Sequence, residues 1–416
     1  MTSQCSDTRQ IAAQRRAGDR GGTGRHAPTE QSSLRAALAA ASEDILVYDL
    51  DGIGRQYVAL STELPCVEVR FAMKACPVDE VLSHLARLGS GFDAAGPQEI
   101  VQALRTGVGP GLIHYGNTVK SDRNIADAYR LGVRDFATDS REDVAAIAQH
   151  APGSRVFCRV STTGRGALWG LSHKFGCSPE DALRVLGAAR AAGLVPSGLS
   201  VHVGSQQMTA EAWGEAIRTL AALLGALNRQ GIVPDRINLG GGLPALGVLD
   251  RCGRPLEPPM DKMFRVIRDG MERLSSVNAG PLRFLLEPGR HLVADHGAIR
   301  AHVARLTSRR RLDGTREDWL YLSCGKFNGL YEMDQLRYRL EFPSHPGGRF
   351  VEAMVAGPTC DSDDAYAREG GAVRVPHAVA SGDPVWVYSC GAYATAYTTR
   401  GFNGFPPLPY TCVGGS

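Results

Sequence analysis

Three features are missing from the 416-residue sequence, and each absence argues against a class of protein. The ten cysteines include no C-x-x-C pair, which disfavours a zinc site or a disulfide-stapled fold and favours a reducing compartment. The apolar runs are far shorter than the roughly 20 residues that a membrane-spanning helix needs. The basic residues form no stripe with interleaved aromatics, and the formal net charge is only +3, so nucleic-acid binding is disfavoured.

Lysine is also scarce, since the 46 basic residues (lysine plus arginine) include only five lysines. One of them, Lys74, follows the apolar run VEVRFAM and stands where a strand is predicted to end. A lysine in that position is either a surface charge that closes the strand or a buried amine reserved for chemistry. The residues at the other strand ends decide between these two interpretations.

The N-terminal stretch is polar and rich in arginine and glycine, and it lacks the apolar segment of a secretory signal peptide. We predict a disordered tail over residues 1–30, because such a composition cannot bury enough apolar surface to become ordered. Reduced cysteines and the lack of a signal peptide together lead us to expect a cytoplasmic protein.

From residue 44 onward, short apolar runs alternate with amphipathic helical patterns such as VDEVLSHLARLG and REDVAAIAQHA. The alternation repeats about eight times over about 240 residues, which favours a closed (β/α)8 barrel above an open doubly wound sheet. The predicted strands are DILVYDL (44–50), VEVRFAM (67–73), GFDAAG (91–96), GLIHYG (111–116), DFATDS (135–140), RVFCRVS (155–161), GLSVHVGS (198–205), RINLGGG (236–242) and LRFLLEPGR (282–290).

After residue 297 the pattern changes to alternating apolar and polar residues with few helices, which is typical of antiparallel strands. The stretches AIRAHVARLTSRRR, DWLYLSCG, RFVEAMVAGPTC and DPVWVYSCGAY show this alternation. We therefore predict an α/β protein with a barrel domain over 51–296 and a mostly antiparallel β domain over 297–416. Residues 31–50 are predicted to form a helix and strand segment that joins the β domain.

Polar residues and glycines collect where the predicted barrel strands end, and catalytic groups of (β/α)8 barrels sit at these ends. Each also has an ordinary structural interpretation: a histidine inside SVHVGS can be a satisfied core residue, and a glycine run can be a tight turn. Their shared location at one end of the barrel favours a functional site. The residues are Lys74, Asp93, Arg159, His202, Ser205, the glycines 240–242, Glu287, Gly289 and Arg290.

This set of groups meets the requirements for binding pyridoxal 5′-phosphate (PLP). A glycine turn lets backbone N–H groups approach a phosphate, and Ser205 and Arg290 add a hydroxyl and a positive charge. A lysine can bind the cofactor aldehyde covalently, a carboxylate can hold a pyridinium nitrogen, and an imidazole can lie flat on an aromatic ring. The strand ends therefore predict a PLP site without a metal, in which Lys74 is the reserved amine.

Seven motifs, in order between residues 44 and 410, are similar to those of one enzyme family. They are FAMKAC, GFDAAGPQEI, SVHVGSQ, INLGGGLP, LEPGRHLVA, GPTCDSDD and CGAYATAY with the following FNGF. The chain resembles the fold-type III, PLP-dependent basic amino-acid decarboxylases, and among them the ornithine and lysine/ornithine decarboxylase group. The resemblance implies an alanine-racemase-like PLP barrel, a C-terminal β domain, and a homodimer whose active sites are shared across the subunit interface.

The resemblance also implies a role for each cofactor residue. Lys74 corresponds to the lysine that carries PLP, Glu287 to the carboxylate on the pyridine nitrogen, and His202 to the imidazole stacked on the ring. Asp93 and Arg159 correspond to residues that help to fix Lys74 and Glu287. The phosphate-binding positions correspond to Ser205, Gly241, Gly242, Gly289, Arg290 and Tyr393.

Two further residues correspond to groups that the partner subunit supplies. The thiol of Cys360 is implied to protonate Cα after CO₂ leaves, and Asp361 to hold the distal amine of the substrate. The segment GKFNGLYEMDQL (325–336) corresponds to the far wall of the substrate pocket and contributes Tyr331 and two carboxylates, Glu332 and Asp334. Either carboxylate would favour a cationic distal group, and the sequence leaves open which of them faces the site.

The reaction expected from the resemblance is decarboxylation of L-ornithine to putrescine in polyamine biosynthesis, with L-lysine to cadaverine as a second reaction. One alternative is a pathway-specific decarboxylase of an unusual, D- or carrier-tethered amino acid. Another is diaminopimelate decarboxylase, although that group has CESGD where this chain has CDSDD. A catalytically inactive, decarboxylase-like regulator is disfavoured because the cofactor residues Lys74, His202 and Glu287 are retained.

Overall fold

The computed structural model describes residues 32–170 and 174–415, and the tail predicted for residues 1–30 lies outside them. The α-helices are α1 Ser32–Ala40, α2 Leu50–Glu63, α3 Asp79–Arg87, α4 Pro97–Arg105, α5 Asp122–Arg130, α6 Arg141–His150, α7 Pro179–Ala191, α8 Glu211–Arg229, α9 Met260–Val277 and α10 Arg290–Val293. The strands are β1 Ile45–Asp49, β2 Val67–Ala72, β3 Gly91–Ala94, β4 Ile113–Tyr115, β5 Asp135–Thr138, β6 Arg155–Arg159, β7 Ala167–Trp169, β8 Val195–Ser200, β9 Ser205–Gln207, β10 Arg236–Asn238, β11 Arg283–Leu286, β12 Gly297–Arg310, β13 Arg316–Leu322, β14 Leu340–Glu341, β15 Phe350–Ala356, β16 Val373–Pro376, β17 Pro384–Tyr388 and β18 Tyr410–Val413.

Eight parallel strands close into a barrel in the order β2-β3-β4-β5-β6-β8-β10-β11, and β11 pairs back to β2. Each strand is a short apolar run, and large side chains such as Phe71, Phe92 and Phe136 are fully buried. A parallel sheet is covered on its faces, so near-continuous apolar strands are what this architecture requires. The closed barrel confirms the predicted (β/α)8 fold.

Several helices of the barrel begin at a serine that caps the first turn. The hydroxyls of Ser121 and Ser140 accept hydrogen bonds from the backbone N–H of Asn124 and Asp143, three residues later. Such caps satisfy N–H groups that the helix itself leaves without a partner. Within the described part of the chain, no helix combines the length and apolar character required to cross a membrane.

A second sheet of eight strands is organised around the long strand β12. It pairs antiparallel with β1, β13 and β17, and the sheet continues through β14 on one side and through β15 and β16 on the other. The pairs β13–β15 and β1–β18 are parallel. This sheet confirms the predicted, mostly antiparallel β unit.

The strand predicted over residues 198–205 is interrupted in the structure. β8 ends at Ser200, and Ser205 starts β9, which belongs to a separate two-stranded ribbon with β7. Between them Gly204 has a φ of +100°, a conformation that breaks an extended strand and favours glycine. His202 consequently lies in a loop beyond the barrel strand, at the end where the candidate site is found.

Candidate active site

Lys74 follows β2 in a single 3-10 turn, Met73–Ala75, at the carboxyl end of the barrel. A hydrogen bond from a distant part of the chain holds this turn in place: the backbone N–H of Tyr393 donates to the carbonyl oxygen of Ala75 at 2.7 Å. The Lys74 side chain lines a narrow cleft at this end of the barrel. The interpretation of Lys74 as a reserved amine agrees with this location.

Lys74 carries a positive charge in the free protein. Burial opposes the charge of the amine, but Tyr393, Asp93 and Glu287 raise its pKa above the ordinary lysine value. The amine is therefore a cation at neutral pH until it loses a proton to react.

The structure brings ten of the eleven residues predicted to bind PLP into this cleft, and their roles stay predictions. The eleventh, Arg159, ends β6, where its guanidinium attracts the carboxylates of Glu287 and Asp93. The residues that line the cleft are Ala72, Lys74, Asp93, His202, Ser205, Gly241, Gly242, Leu243, Glu287, Gly289, Arg290 and Tyr393.

Glu287 is held as a carboxylate by neighbours on adjacent strands. Nε2 of the buried His114 lies 2.9 Å from Oε1 of Glu287 and 3.2 Å from Oδ1 of Asp93. Asn238 donates from Nδ2 to the same Glu287 oxygen at 2.5 Å. Burial alone would raise the pKa of Glu287, but His114, Asn238 and Lys74 lower it to about 2. Glu287 is thus an anion over the whole physiological pH range.

His202 is a neutral imidazole. Its Nδ1 accepts a hydrogen bond from the backbone N–H of Gly204 at 3.0 Å, so the ring proton is on Nε2. Burial lowers the pKa of His202 to about 3, and the charges of Lys74 and Arg159 act in the same direction. A flat, uncharged ring next to Lys74 suits stacking on an aromatic cofactor.

Glycines make the wall of the cleft from backbone alone. A Cβ at Gly241 would lie 2.8 Å from the carbonyl oxygen of Glu287 and 3.3 Å from Nε2 of His202. Gly242 has a φ of +121°, and a Cβ at Gly289 would lie 2.8 Å from Cβ of Ala75, in the turn that carries Lys74. A side chain at any of these positions would displace the elements that build the site.

Arg290 extends its guanidinium between two aromatic rings, 4.5 Å from the ring of Trp169 and 4.9 Å from that of Tyr393. Its Nη2 lies 3.3 Å from Oγ of Ser205 and 2.5 Å from Oε1 of Glu332, while Nη1 binds Oε2 of Glu332. Burial would lower the pKa of Arg290, but the Glu332 carboxylate raises it, so the charge is retained. The side chain is a buried, charged anion-binding group.

The two carboxylates of the predicted pocket wall point to different partners. Glu332 is buried and binds Arg290, as described above. Asp334 is partly exposed and lies 3.4 Å from Nζ of Lys326. Tyr331 is exposed and stacks on Tyr397, with ring centroids 4.1 Å apart. Of these wall residues, Glu332 is the one that contacts a residue lining the cleft.

Cys360 and Asp361 do not line the cleft of their own subunit in the described structure. Cys360 is exposed, and Oδ1 of Asn403 accepts hydrogen bonds from its thiol at 3.1 Å and from its backbone N–H at 2.9 Å. The side chain of Asp361 accepts a hydrogen bond from the N–H of Asp363 at 2.8 Å, within the same turn. Both side chains are presented on a loop outside their own barrel.

Sequence reasoning missed three residues at this site. His114 and Asn238 lie within predicted strands, where the histidine of GLIHYG and the asparagine just before the glycines are polar interruptions of apolar runs. Nothing in the sequence indicated that Trp169 contacts Arg290, because Trp169 lies in the short strand β7, far along the chain from Arg290. A search for polar residues inside otherwise apolar barrel strands would have found the first two.

The residues of the cleft fit PLP. An ionised carboxylate, a primary amine and a neutral imidazole converge on one cleft with a buried arginine and a wall of glycines. The bidentate contact of Glu332 shows that a planar anion fits against Arg290. PLP needs an amine for its aldehyde, an anion for its ring nitrogen and donors for its phosphate, and all three are present.

Comparisons with known proteins agree with the geometry. The sequence model described as "Pyridoxal-dependent decarboxylase, pyridoxal binding domain" matches residues 50–294. The lysine/ornithine decarboxylase of Selenomonas ruminantium is 32% identical over 88% of this chain and 88% of its own length. The ornithine decarboxylase of Schizosaccharomyces pombe is 29% identical over 90% of this chain and 84% of its own.

Solved structures extend the similarity to the whole fold. The lysine/ornithine decarboxylase of Vibrio vulnificus complexed with putrescine superposes with a TM-score of 0.80 at 27% identity, covering 94% of this chain and 99% of the other. These matches confirm the family and the cofactor predicted from the motifs. The chain belongs to the pyridoxal-dependent decarboxylases.

Proposed function

We propose that this decarboxylase acts on a basic L-amino acid and converts L-ornithine to putrescine and CO₂, a step of polyamine biosynthesis. The observation that carries the proposal is the convergence of Lys74, Glu287 and Arg290 on one cleft, with the carboxylate of Glu332 beside it. L-Lysine, converted to cadaverine, is the second substrate. The names of the Selenomonas and fission-yeast relatives support this substrate class, and Vibrio vulnificus structures hold putrescine or cadaverine.

The residues of the cleft would hold the cofactor at three points. Lys74 would bind the aldehyde carbon, Glu287 the ring nitrogen, and Arg290 with Ser205 the phosphate. When bound, PLP supplies an electron sink for the pair released as the bond from Cα to the carboxylate breaks. Glu287 suits its role because its pKa of about 2 keeps it anionic, and an adjacent anion keeps a ring nitrogen protonated.

Loss of CO₂ leaves an electron pair on Cα, and a proton must be delivered to that carbon. We assign this delivery to Cys360, because a thiol has a proton that is mobile near neutral pH. The Sγ–H group is already held by Oδ1 of Asn403 at 3.1 Å, which limits the directions it can take. Cys360 is therefore the proton donor and Asn403 its support.

Cys360 and Asp361 would serve the cleft of a second copy of the chain, in a homodimer with two shared sites. The position of both residues supports this proposal, since neither lines the cleft of its own subunit. Exposed aromatic side chains near the same region support an interface: Tyr331 stacks on Tyr397, and Phe402 lies against Phe327 with ring centroids 4.7 Å apart. Such a cluster is unusual on a surface that faces only water.

Acidic residues favour a substrate with a second positive charge. Of the three acids in CDSDD, Asp364 is buried and accepts hydrogen bonds from the N–H groups of Lys326 at 2.7 Å and Thr359 at 3.0 Å, so it holds the loop in place. Asp361 stays available for the distal amine. A second carboxylate on the substrate, as in diaminopimelate, would be repelled at the same position.

The test is a product assay on purified, PLP-loaded protein, with L-ornithine, L-lysine, L-arginine, meso-diaminopimelate and D-amino acids in parallel and amines identified by mass. We expect putrescine to form fastest and cadaverine next, and Lys74→Ala to form neither. Amine from another member of the panel but none from L-ornithine would refute the proposed substrate. Absence of PLP absorbance from the loaded protein would refute the proposed reaction itself.

We further propose a reducing, cytoplasmic environment. The neighbours Cys158 and Cys177 are free thiols, although their Sγ atoms lie only 3.5 Å apart. Free thiols persist where the cell keeps cysteines reduced.

A further inference from the structure

His114 is a buried titratable group to which the proposed function gives no role. It lies in β4, is 1% exposed, and packs on Phe157 with ring centroids 5.3 Å apart. Its Nε2 is the atom that lies 2.9 Å from Glu287 and 3.2 Å from Asp93. Neither ring nitrogen makes a hydrogen bond of regular geometry among the described residues, so the approach of Nε2 to the two carboxylates is a close polar contact. The polar side of the ring is therefore directed at two carboxylates of the cleft.

An imidazole in this position carries a proton on Nε2. Two carboxylate oxygens within 3.2 Å would repel a lone pair on that nitrogen, whereas an N–H can be shared between them. Burial opposes a full charge on the ring, but Asp93 and Glu287 together raise the pKa of His114 above its ordinary value. The protonated Nε2 of His114 thus faces the carboxylate pair at short range.

A hydrogen bond to Glu287 comes from Asn238, the last residue of β10, just before the glycine turn. Asn238 donates from Nδ2 to Oε1 of Glu287 at 2.5 Å, and its Oδ1 accepts a hydrogen bond from the N–H of Gly240 at 2.9 Å. Oε1 therefore accepts a hydrogen bond from Asn238 and is also in close contact with Nε2 of His114. The other oxygen, Oε2, takes part in neither contact.

We propose that His114 is a positioning residue that, with Asn238, holds Oε1 of Glu287 so that Oε2 is presented to the ring nitrogen of PLP. The inference rests on the proposed function, since it assigns a purpose to the Glu287 geometry within that site. His114 does not line the cleft, so it acts through Glu287 and not on the cofactor directly. Without this donor, Glu287 would be free to rotate toward Asn238 alone, and burial would raise its pKa.

The test compares two substitutions of His114 in the apoprotein and in the PLP-loaded protein. His114→Gln keeps an N–H donor at a similar reach, and His114→Leu fills the site without a donor. We expect PLP to bind His114→Leu about tenfold to a hundredfold more weakly, the range for losing a hydrogen bond to a buried charge, and His114→Gln within about threefold of the unchanged protein. The dissociation constants come from titrating apoprotein with PLP, without substrate.

A spectroscopic readout separates positioning from general loss of structure. In protein loaded with PLP that is ¹⁵N-labelled at the ring nitrogen, NMR reports whether this atom is protonated. We expect a protonated nitrogen in the unchanged protein and in His114→Gln, and loss of that signal in His114→Leu. Phe157→Leu is the packing control: it should lower the melting temperature while PLP affinity stays within about twofold.

Each outcome has a defined meaning. An unchanged PLP affinity and nitrogen signal in His114→Leu would overturn the role of His114 while leaving the proposed function intact. Failure of the unchanged protein to bind PLP would overturn the proposed function instead. Should His114→Leu not fold, His114→Asn replaces it, because it is polar but too short to reach Glu287. Normal binding by His114→Asn would then count against the proposal.

Discussion

The carboxylate of Glu332 covers both terminal nitrogens of Arg290. Oε1 lies 2.5 Å from Nη2 and Oε2 binds Nη1, while Oγ of Ser205 lies 3.3 Å from Nη2. Arg290 and Ser205 are also the groups to which we assign the phosphate of PLP. Glu332 and the phosphate therefore need the same donors, and an arriving phosphate must displace the carboxylate. Once displaced, Glu332 would be free to meet a cationic substrate.

The first prediction concerns this competition. Glu332→Gln should lower the thermal stability of the free protein, because removing one partner of a buried ion pair leaves the other uncompensated, at a cost of up to about 3–5 kcal/mol. Inorganic phosphate should restore more stability to this variant than to the unchanged protein, since Arg290 is then open to it. Melting temperatures with and without phosphate measure both effects.

Asp334→Asn, on the same segment but paired with Lys326, is the control. Equal phosphate stabilisation in all three proteins would contradict the competition.

The second prediction concerns the charge on Lys74. Its pKa is raised above the ordinary lysine value by Tyr393, Asp93 and Glu287 despite burial, and the unprotonated amine is the form that attacks an aldehyde. The rate of covalent PLP uptake by the apoprotein should therefore rise with pH, by up to about tenfold per unit below that pKa. Stopped-flow absorbance gives the rate, and Lys74→Ala provides the blank. A rate that falls from pH 7 to 9 would argue against Lys74 as the attacking amine.

The third prediction concerns a buried ion pair next to the barrel. Nζ of Lys120 lies 2.7 Å from Oδ2 of Asp143 and 2.7 Å from the carbonyl oxygen of Ala137, and its side chain is fully buried. Lys120→Met should lower the free energy of unfolding by about 3–5 kcal/mol, because Asp143 is left as an unpaired buried charge. Lys120→Met combined with Asp143→Asn should recover part of that loss. Urea denaturation measures both.

The matched control for that pair is an ion pair at the surface. Lys262 and Glu211 also approach closely, but their side chains are 56% and 69% exposed. Lys262→Met should change the free energy of unfolding far less than Lys120→Met does, because both side chains of the pair stay in water. Similar losses of unfolding free energy at the buried and the exposed pair would mean that burial does not determine the cost of removing one partner of an ion pair.

The fourth prediction concerns the proposal that each active site is built from two subunits. Lys74→Ala and Cys360→Ala should each be nearly inactive when purified alone. Mixed after dissociation, they should regain activity, because a heterodimer contains one site with both residues intact; random pairing makes roughly a quarter of all sites complete. Specific activity against mixing ratio measures this. Activity that stays at the level of the separate variants would refute a site built from two subunits.

The barrel was predictable because each of its strands is an apolar run that a parallel, doubly covered sheet requires, and a helical pattern follows each run. The antiparallel β domain was predictable because apolar and polar residues alternate along its strands. The short strands β7, β14, β16 and β18 were not predicted, since two to four residues carry too little periodicity on their own and these strands lie outside the strand–helix alternation that marked the equally short barrel strands. The break at Gly204 was missed because the apolar alternation of SVHV continues past the end of β8.

Much of the candidate site could be predicted because a barrel brings the ends of separate strands to one rim. The role of His114 could not, since its significance depends on the distance from its ring to Glu287, about 170 residues along the chain. The choice between Glu332 and Asp334 also required the structure. Both lie in an irregular segment between β13 and β14, where no periodicity tells which side chain turns inward.

The pairing of β1 has a consequence for synthesis of the chain. Ile45 pairs with Arg300 and Leu46 with Tyr410, so this early strand finds its neighbours only among residues made much later. A nascent chain emerging from the ribosome must carry β1 with open edges until β12 and then β18 have been produced. Such a strand is exposed to wrong partners throughout that interval. We expect truncation before Tyr410 to leave β1 paired with β12 on one side and open along its other edge, so that damage to the far end of the chain weakens its beginning.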